Sequence, residues 1–358
     1  MPSQILHILF GEDVIAGIFK RTESRFEAVT VKAAEALQAY KNIFALGCQG
    51  PDIFYHSRRK RPVGLEYGTL LHRRGIGVFS AKLLEASLPS AAASAETLAG
   101  INALGVYSLG FMTHAFLDRA SHPFIVYKSF RLSPASPGGL GAAQSHAFFE
   151  RIIDSLMLKV LRGREVSGWD QEDVLSGVCS KPPPGLQELL ENTLVKTFPE
   201  RAGKDEKLAQ RIQNTFDDSV RFYRLTAPAS VAQKSSSSSA AMNKDHLVYV
   251  YPENLPGHID FLNLEKRPWF YPAGDAKKDT RSFPELYAQA VQAASDALGR
   301  VIERYLADGV FPTAQAATVI GNGGLSIVDT SGAPCSPSRF DPLPLDQALE
   351  QQLASRRL

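Results

Sequence analysis

The sequence is poor in cysteine: Cys48, Cys179 and Cys335 are the only three in 358 residues. Three thiols cannot build a disulfide framework, and none shows the CxxC spacing of a metal site. An excess of one charge is also missing. Lys and Arg number 39 against 37 Asp and Glu, a net charge of +2. That excludes a strongly basic nucleic-acid coat protein and an acidic disordered tail. No apolar run reaches the ~20 residues that a bilayer requires. The opening MPSQILHILFGEDVIAG is interrupted by His7, Glu12 and Asp13, and lacks both a basic start and a small-residue cleavage site. These absences predict a cytoplasmic chain without a spanning segment.

What is present is mostly helical pattern. Apolar residues recur at steps of three and four over 22–46, 67–88, 95–119, 141–162, 185–197, 204–225 and 282–309. The third of these is apolar nearly all round, as in a helix buried inside a bundle. Ser282 reads as a helix cap and Gly309 as a stop. Residues 131–141 and the stretch GCQGPDIFYHSRRKRPVG read as loops, and 246–252 as a short strand or extended loop. The expectation is an all-α multi-helix bundle over 1–310, with a flexible Ser-rich insertion at about 230–243. Residues 311–358, rich in Gly, Pro and Ser, are expected to form an irregular or hairpin-containing extension.

Eight histidines are not many, but their placement is informative. GFMTHAFLDRASHPF spaces His114, Asp118 and His122 four residues apart. On a helix each such step turns ~400°, so the three share one stripe. Pro123 predicts that the helix ends there, with His122 in its last turn. SHAFFERIID then places His146 and Glu150 at the same spacing, with Asp154 one turn on. Imidazole and carboxylate are the usual ligands of zinc and similar ions, and two helices can aim several at one point. A lone histidine on an apolar face is more often a satisfied core residue. Five ionisable groups buried without a shared partner would cost several kcal/mol, which favours metal. An oxidative di-iron bundle would need two ExxH motifs, and the chain has none.

The ordered set GPDIFYH, His72, GFMTHAFLDRASHP and SHAFFERIID resembles the zinc-dependent phospholipase C family, which shares an all-α fold with single-strand nucleases. The opening His7 followed by FGED, and LNLEKRPWFYP before the late helix, resemble its bacterial intracellular members. The likeness spans roughly 1–165 and, more weakly, 255–305. It implies zinc ions at three positions. Asp52, His72, His114 and Asp118 would hold the first, and His122, His146 and Glu150 the second. His7 would serve a third that shares Asp118. In secreted relatives an N-terminal Trp completes the third position, whereas no Trp precedes His7 here. The likeness also implies phospholipase C-like phosphodiester hydrolysis by a metal-bound hydroxide at a two- or three-zinc cluster. Asp52 would act as general base or only as ligand, and Asp118 would serve two ions. A nuclease- or nucleotidase-type phosphoesterase and a catalytically inactive metal-binding relative are the alternatives.

Around this set, Phe54, Tyr55, His56 and Tyr67 are candidate substrate contacts, and Asp154 a candidate support for His146 or Glu150. The basic runs Arg58–Arg61 and Arg73–Arg74 offer charge to a phosphate or an anionic surface. His246, His258 and Trp269 fit no ligand pattern and read as structural. A phosphate ester, phospholipid among them, is the expected partner, without a stable nucleic-acid complex.

Overall fold

A computed structural model describes residues 4–88, 101–134, 139–170, 172–227, 248–274 and 277–355. Its first helix, α1 (Gln4–Ala39), is longer than the pattern predicted. His7 and Gly11 do not break it, because Ile5, Leu6, Ile8, Leu9, Phe10 and Val14 are buried on all sides. The helix expected over 22–46 is instead divided at Tyr40, where α2 (Lys41–Cys48) begins. Gly50–His56, expected as loop, is one 3-10 helix.

The predicted helix over 67–88 is two, α3 (Leu65–Arg73) and α4 (Ile76–Ser87). Gly75 separates them at φ +77°, a left-handed conformation that suits glycine. The central helix, α5 (Ala103–Ser129), starts where Asn102 Oδ1 accepts the N–H groups of Leu104 and Gly105, each at 3.0 Å. Part of the predicted start, 95–100, lies outside the described residues. Pro123 does not end α5, which continues for six residues to Ser129. The reason is burial. Phe124 packs edge-on against Trp269 and Phe283, with ring centroids at 5.4 and 5.8 Å. Such packing outweighs the one backbone hydrogen bond that proline forfeits.

Helices α6 (Ala142–Arg162), α8 (Leu186–Thr197) and α9 (Leu208–Thr226) follow the predicted spans closely, with the short α7 (Gly177–Ser180) between α6 and α8. In α10 (Phe283–Asp308), the Ser282 N–H donates to Glu285 at 2.8 Å, and Gly309 closes the helix at φ +69°. The only paired strands among the described residues are Trp269–Phe270 and Lys278–Asp279. Of the predicted strand over 246–252, the described part, 248–252, is turn and irregular chain. Residues 230–243 lie outside the described residues.

The C-terminal stretch is less irregular than its composition suggests. It holds α11 (Thr313–Ile320) and α12 (Leu345–Ser355), and Val328 bridges Pro334 in a small hairpin. Ala316, Ile320, Leu325, Leu345 and Leu349 join the same core as α1–α10, and that burial stabilises two short helices that propensity alone would not. The architecture is all-α. Helix α5 lies at its centre, in contact with α1, α2, α4, α6 and α10. At the α2–α5 crossing a Cβ on Gly47 would stand 2.2 Å from the Tyr107 carbonyl, so that approach requires glycine. No described helix is long and apolar enough to cross a membrane.

Candidate metal centre

Five elements bring five histidines and three carboxylates to one interior place. His7 comes from the second turn of α1 and Asp52 from the 3-10 helix. His72 ends α3, while α5 supplies His114, Asp118 and His122, and α6 supplies His146 and Glu150. Asp118 is the hub. Its Oδ1 lies 3.3 Å from His7 Nε2 and 3.8 Å from His122 Nε2. Its Oδ2 lies 3.2 Å from His114 Nε2 and 3.7 Å from His72 Nε2. Asp52 meets His72 at 2.9 Å and His114 at 3.7 Å. Glu150 Oε1 stands 3.3 Å from His122 Nε2 and 3.2 Å from His146 Nε2. Every ligand residue expected from sequence is therefore in the cluster.

Backbone groups set the imidazole tautomers. A carbonyl can only accept, so Nδ1 of His72 carries the proton it gives to Gly68 at 2.7 Å. Nδ1 of His114 likewise donates to the Cys48 carbonyl at 3.2 Å. Ser129 gives its hydroxyl proton to Ile125 at 2.7 Å, so its oxygen is left to accept from His146 Nδ1. In these three rings Nε2 is the atom turned to the carboxylates, as a metal ligand requires.

The carboxylates are almost completely buried. Burial alone would raise their pKa values, yet all three lie below the ordinary carboxylate range: imidazoles, His114 foremost at Asp52 and His122 at Asp118, hold those two down, and His146 and His122 contribute at Glu150. His114 shows the reverse balance. Burial lowers it, but Asp118 and Asp52 overcome that and push it up to about 9. His7 and His146 stay depressed, chiefly by burial. Asp52 Oδ2, His114 Nε2 and Asp118 Oδ2 are buried and have no hydrogen-bond partner. Orphaned atoms of that kind at a point of convergence fit a cation, and the donor set, imidazole with carboxylate, suits zinc. These groups could hold metal ions as His7–His114–Asp118, Asp52–His72–His114 and His122–His146–Glu150. His114 belongs to two of the three sets but has one free nitrogen, so it commits to a single ion.

No family model matches this chain, and no curated protein or solved structure matches it either. The functional reading therefore rests on the residues themselves.

The expected substrate contacts fare unequally. Tyr55 borders the cluster, its ring 4.7 Å from that of His72. Phe54 and Tyr67 are buried in the core, and Tyr67 donates to Asp205 at 2.6 Å. His56 is neither solvated nor in the cluster. It stacks on Phe222 at 4.0 Å and meets Ser219 at 3.1 Å, and burial pushes its pKa down to about 3. Trp269 is buried and His258 exposed, while His246 lies outside the described residues.

Asp154 holds neither His146 nor Glu150. It caps α1: Oδ2 accepts from the N–H groups of Gln4 and Ile5 at 2.8 and 3.1 Å, and Oδ1 from Leu6 at 2.7 Å. These N–H groups lie in the first described turn of α1, the last of them one residue short of His7. Asp154→Ala is expected to cost about 3 kcal/mol in urea unfolding by removing three buried hydrogen bonds to a charged acceptor. Zinc titration of that variant should lose affinity at the His7 set before the His122 set.

A pH dependence follows from His114. Its folded pKa exceeds the unfolded value of 6.5, so it stabilises the metal-free chain fully below pH 6.5 and ceases to as pH rises to about 9. Metal must displace that proton. Apparent affinity is therefore expected to climb roughly tenfold per pH unit across this window, with proton release visible when metal is added to weakly buffered protein.

Proposed function

We propose that the chain is a metal-dependent phosphoric ester hydrolase, most like a phospholipase C, using two or three zinc ions. One observation carries the reading: three buried carboxylates and five imidazoles converge, and Asp52 Oδ2, Asp118 Oδ2 and His114 Nε2 are left there without a hydrogen-bond partner. Two or three divalent cations there would supply Lewis acidity, lowering the pKa of a bound water and neutralising charge on a phosphate. The chain's own residues do the rest. Asp118, between His7, His114, His72 and His122, would be a shared ligand of the bound ions. Asp52 Oδ2, ionised and unpartnered, is placed to accept a proton from the attacking water. Tyr55 closes the His72 side. The phosphodiester of a phospholipid is the leading substrate. Free thiols at Cys48, Cys179 and Cys335 fit a reducing, cytoplasmic setting.

The test is turnover of bis-p-nitrophenyl phosphate, phospholipid vesicles and single-stranded DNA by zinc-loaded, chelated and re-loaded protein. Hydrolysis of the diester, abolished by chelator and restored by zinc, is the expected result. Full zinc occupancy without turnover of any ester would sink the hydrolase reading and leave an inert metal-holding protein. Cleavage of DNA alone would favour the nuclease-type alternative.

A further inference from the structure

Helix α3 has only nine residues and ends one residue after His72. A helix that short is not stable alone, so the place of its last turn depends on what holds it. Two of its terminal carbonyls have partners. Leu70 accepts from the Arg74 N–H at 3.0 Å, and His72 from the Leu325 N–H at 2.9 Å. Leu325 belongs to a glycine-rich loop, residues 320–325, that follows α11. The same loop reaches α4. The Asn322 carbonyl accepts from the Gly75 N–H at 3.0 Å, and Asn322 Oδ1 from the Val78 N–H at 2.9 Å. Asn322 thus caps the start of α4, where Gly75 has no side chain to do so.

Arg119 grips this loop from α5. It follows Asp118 directly, and the turn of about 100° per residue sends it out beside the metal cluster rather than into it. Its Nη2 donates to the carbonyls of Gly321 and Gly323 at 3.0 and 3.1 Å, its Nε to Gly324 at 3.3 Å, and its Nη1 to Ile320. All four acceptors are main-chain carbonyls of one loop. A guanidinium can serve them together because its planar fork carries five N–H donors. The contacts are continuous from Arg119 to the loop, from the loop to the His72 carbonyl, and from His72 Nε2 to Asp52 at 2.9 Å.

We infer that Arg119 is a positioning residue of the metal centre: through residues 320–325 it clamps the end of α3 and holds the His72 ring in place for the Asp52–His72–His114 set. The inference rests on the metal reading above and deepens it, because it makes the C-terminal segment part of the site. Metal ligands must be held to within about 0.5 Å, so release of the loop weakens that set and spares His122–His146–Glu150, whose helices the loop does not touch through Arg119.

The experiment is titration of the metal-free full chain with cobalt(II), followed by its visible absorption. The component lost in His72→Ala marks the first set, and the component lost in Glu150→Gln marks the second. Arg119→Gln should weaken cobalt binding in the first component by about tenfold to a hundredfold and leave the second unchanged. Arg119→Lys should recover part of the loss, since an ammonium donates from one point and cannot span four carbonyls. Arg131→Gln is the structural control. Arg131 ties the C-terminal segment elsewhere, to Asp346 at 2.6 Å and the Leu343 carbonyl at 2.7 Å. It should lower thermal stability and leave both components intact. Unchanged first-set binding in Arg119→Gln, equal weakening of both sets, or an equal first-set loss in Arg131→Gln would overturn the inference. Absence of any cobalt site in the unaltered protein would overturn it together with the metal reading. The expected losses without turnover of any phosphate ester would fail the hydrolase reading alone and leave the positioning role standing.

Discussion

Asp118→Asn is expected to lose at least one bound metal ion and to lower phosphodiester turnover by about a thousandfold or more. The carboxylate has four imidazole Nε2 atoms within 3.8 Å, two on each oxygen. An amide offers one oxygen in place of two and turns N–H donors toward half of that shell. It cannot bridge two cations, and it removes one of three carboxylates that offset their charge. The metal-free protein should suffer as well. His114 is raised to about 9 against burial, first by Asp118, so loss of that charge leaves a buried imidazolium without its main partner. Breaking a buried pair in this way costs roughly 3 kcal/mol. It should also flatten the decline in apo stability between pH 6.5 and 9. Metal analysis, steady-state kinetics and urea unfolding at two pH values check the three parts separately. An Asn variant with full metal content and ordinary turnover would show that Asp118 is not the hub.

Gly50→Ala is expected to damage the centre without touching a ligand. Gly50 sits at φ +55°, where a Cβ costs about 1–2 kcal/mol. That Cβ would also stand 2.4 Å from His114 Cγ and 2.7 Å from His114 Nδ1. His114 cannot retreat, because it is fully buried, stacked 4.1 Å from His7 and tied to the Cys48 carbonyl. Together these predict a loss of about 3–5 kcal/mol in stability and a sharp fall in zinc affinity. Gly163→Ala is the control, since Gly163 has φ +62° but nothing within 4 Å of its Cβ position. It should cost only the backbone strain, about 1–2 kcal/mol, and leave zinc binding alone. Equal effects of the two substitutions would mean that the clash with His114 is unimportant.

The contrast between these residues shows what a sequence can disclose. His114, Asp118, His122, His146 and Glu150 were legible because four-residue spacing on a helix is local geometry. His7, Asp52 and His72 lie on separate elements, and only the resemblance of the ordered set tied them to the others. Periodicity gave no warning that α1 would run through His7, since burial on all sides erases the polar face that periodicity detects. The continuation of α5 past Pro123 depends on aromatic partners more than a hundred residues away. Asp154 pairs with backbone N–H groups 148–150 residues distant, and no residue type marks such a target. Gly50 had a signal in its Gly-Pro-Asp turn, but the ring it must clear is set by the α2–α5 crossing.

The central claim is that these eight side chains hold metal. The most direct measurement is anomalous diffraction at the zinc edge from crystals of protein purified without chelator. The account predicts two or three peaks within bonding distance of Asp52, His72, His114, Asp118, His122, His146 and Glu150, with His7 deciding the third. A map with no peak among these residues, from crystals supplied with zinc, would contradict it.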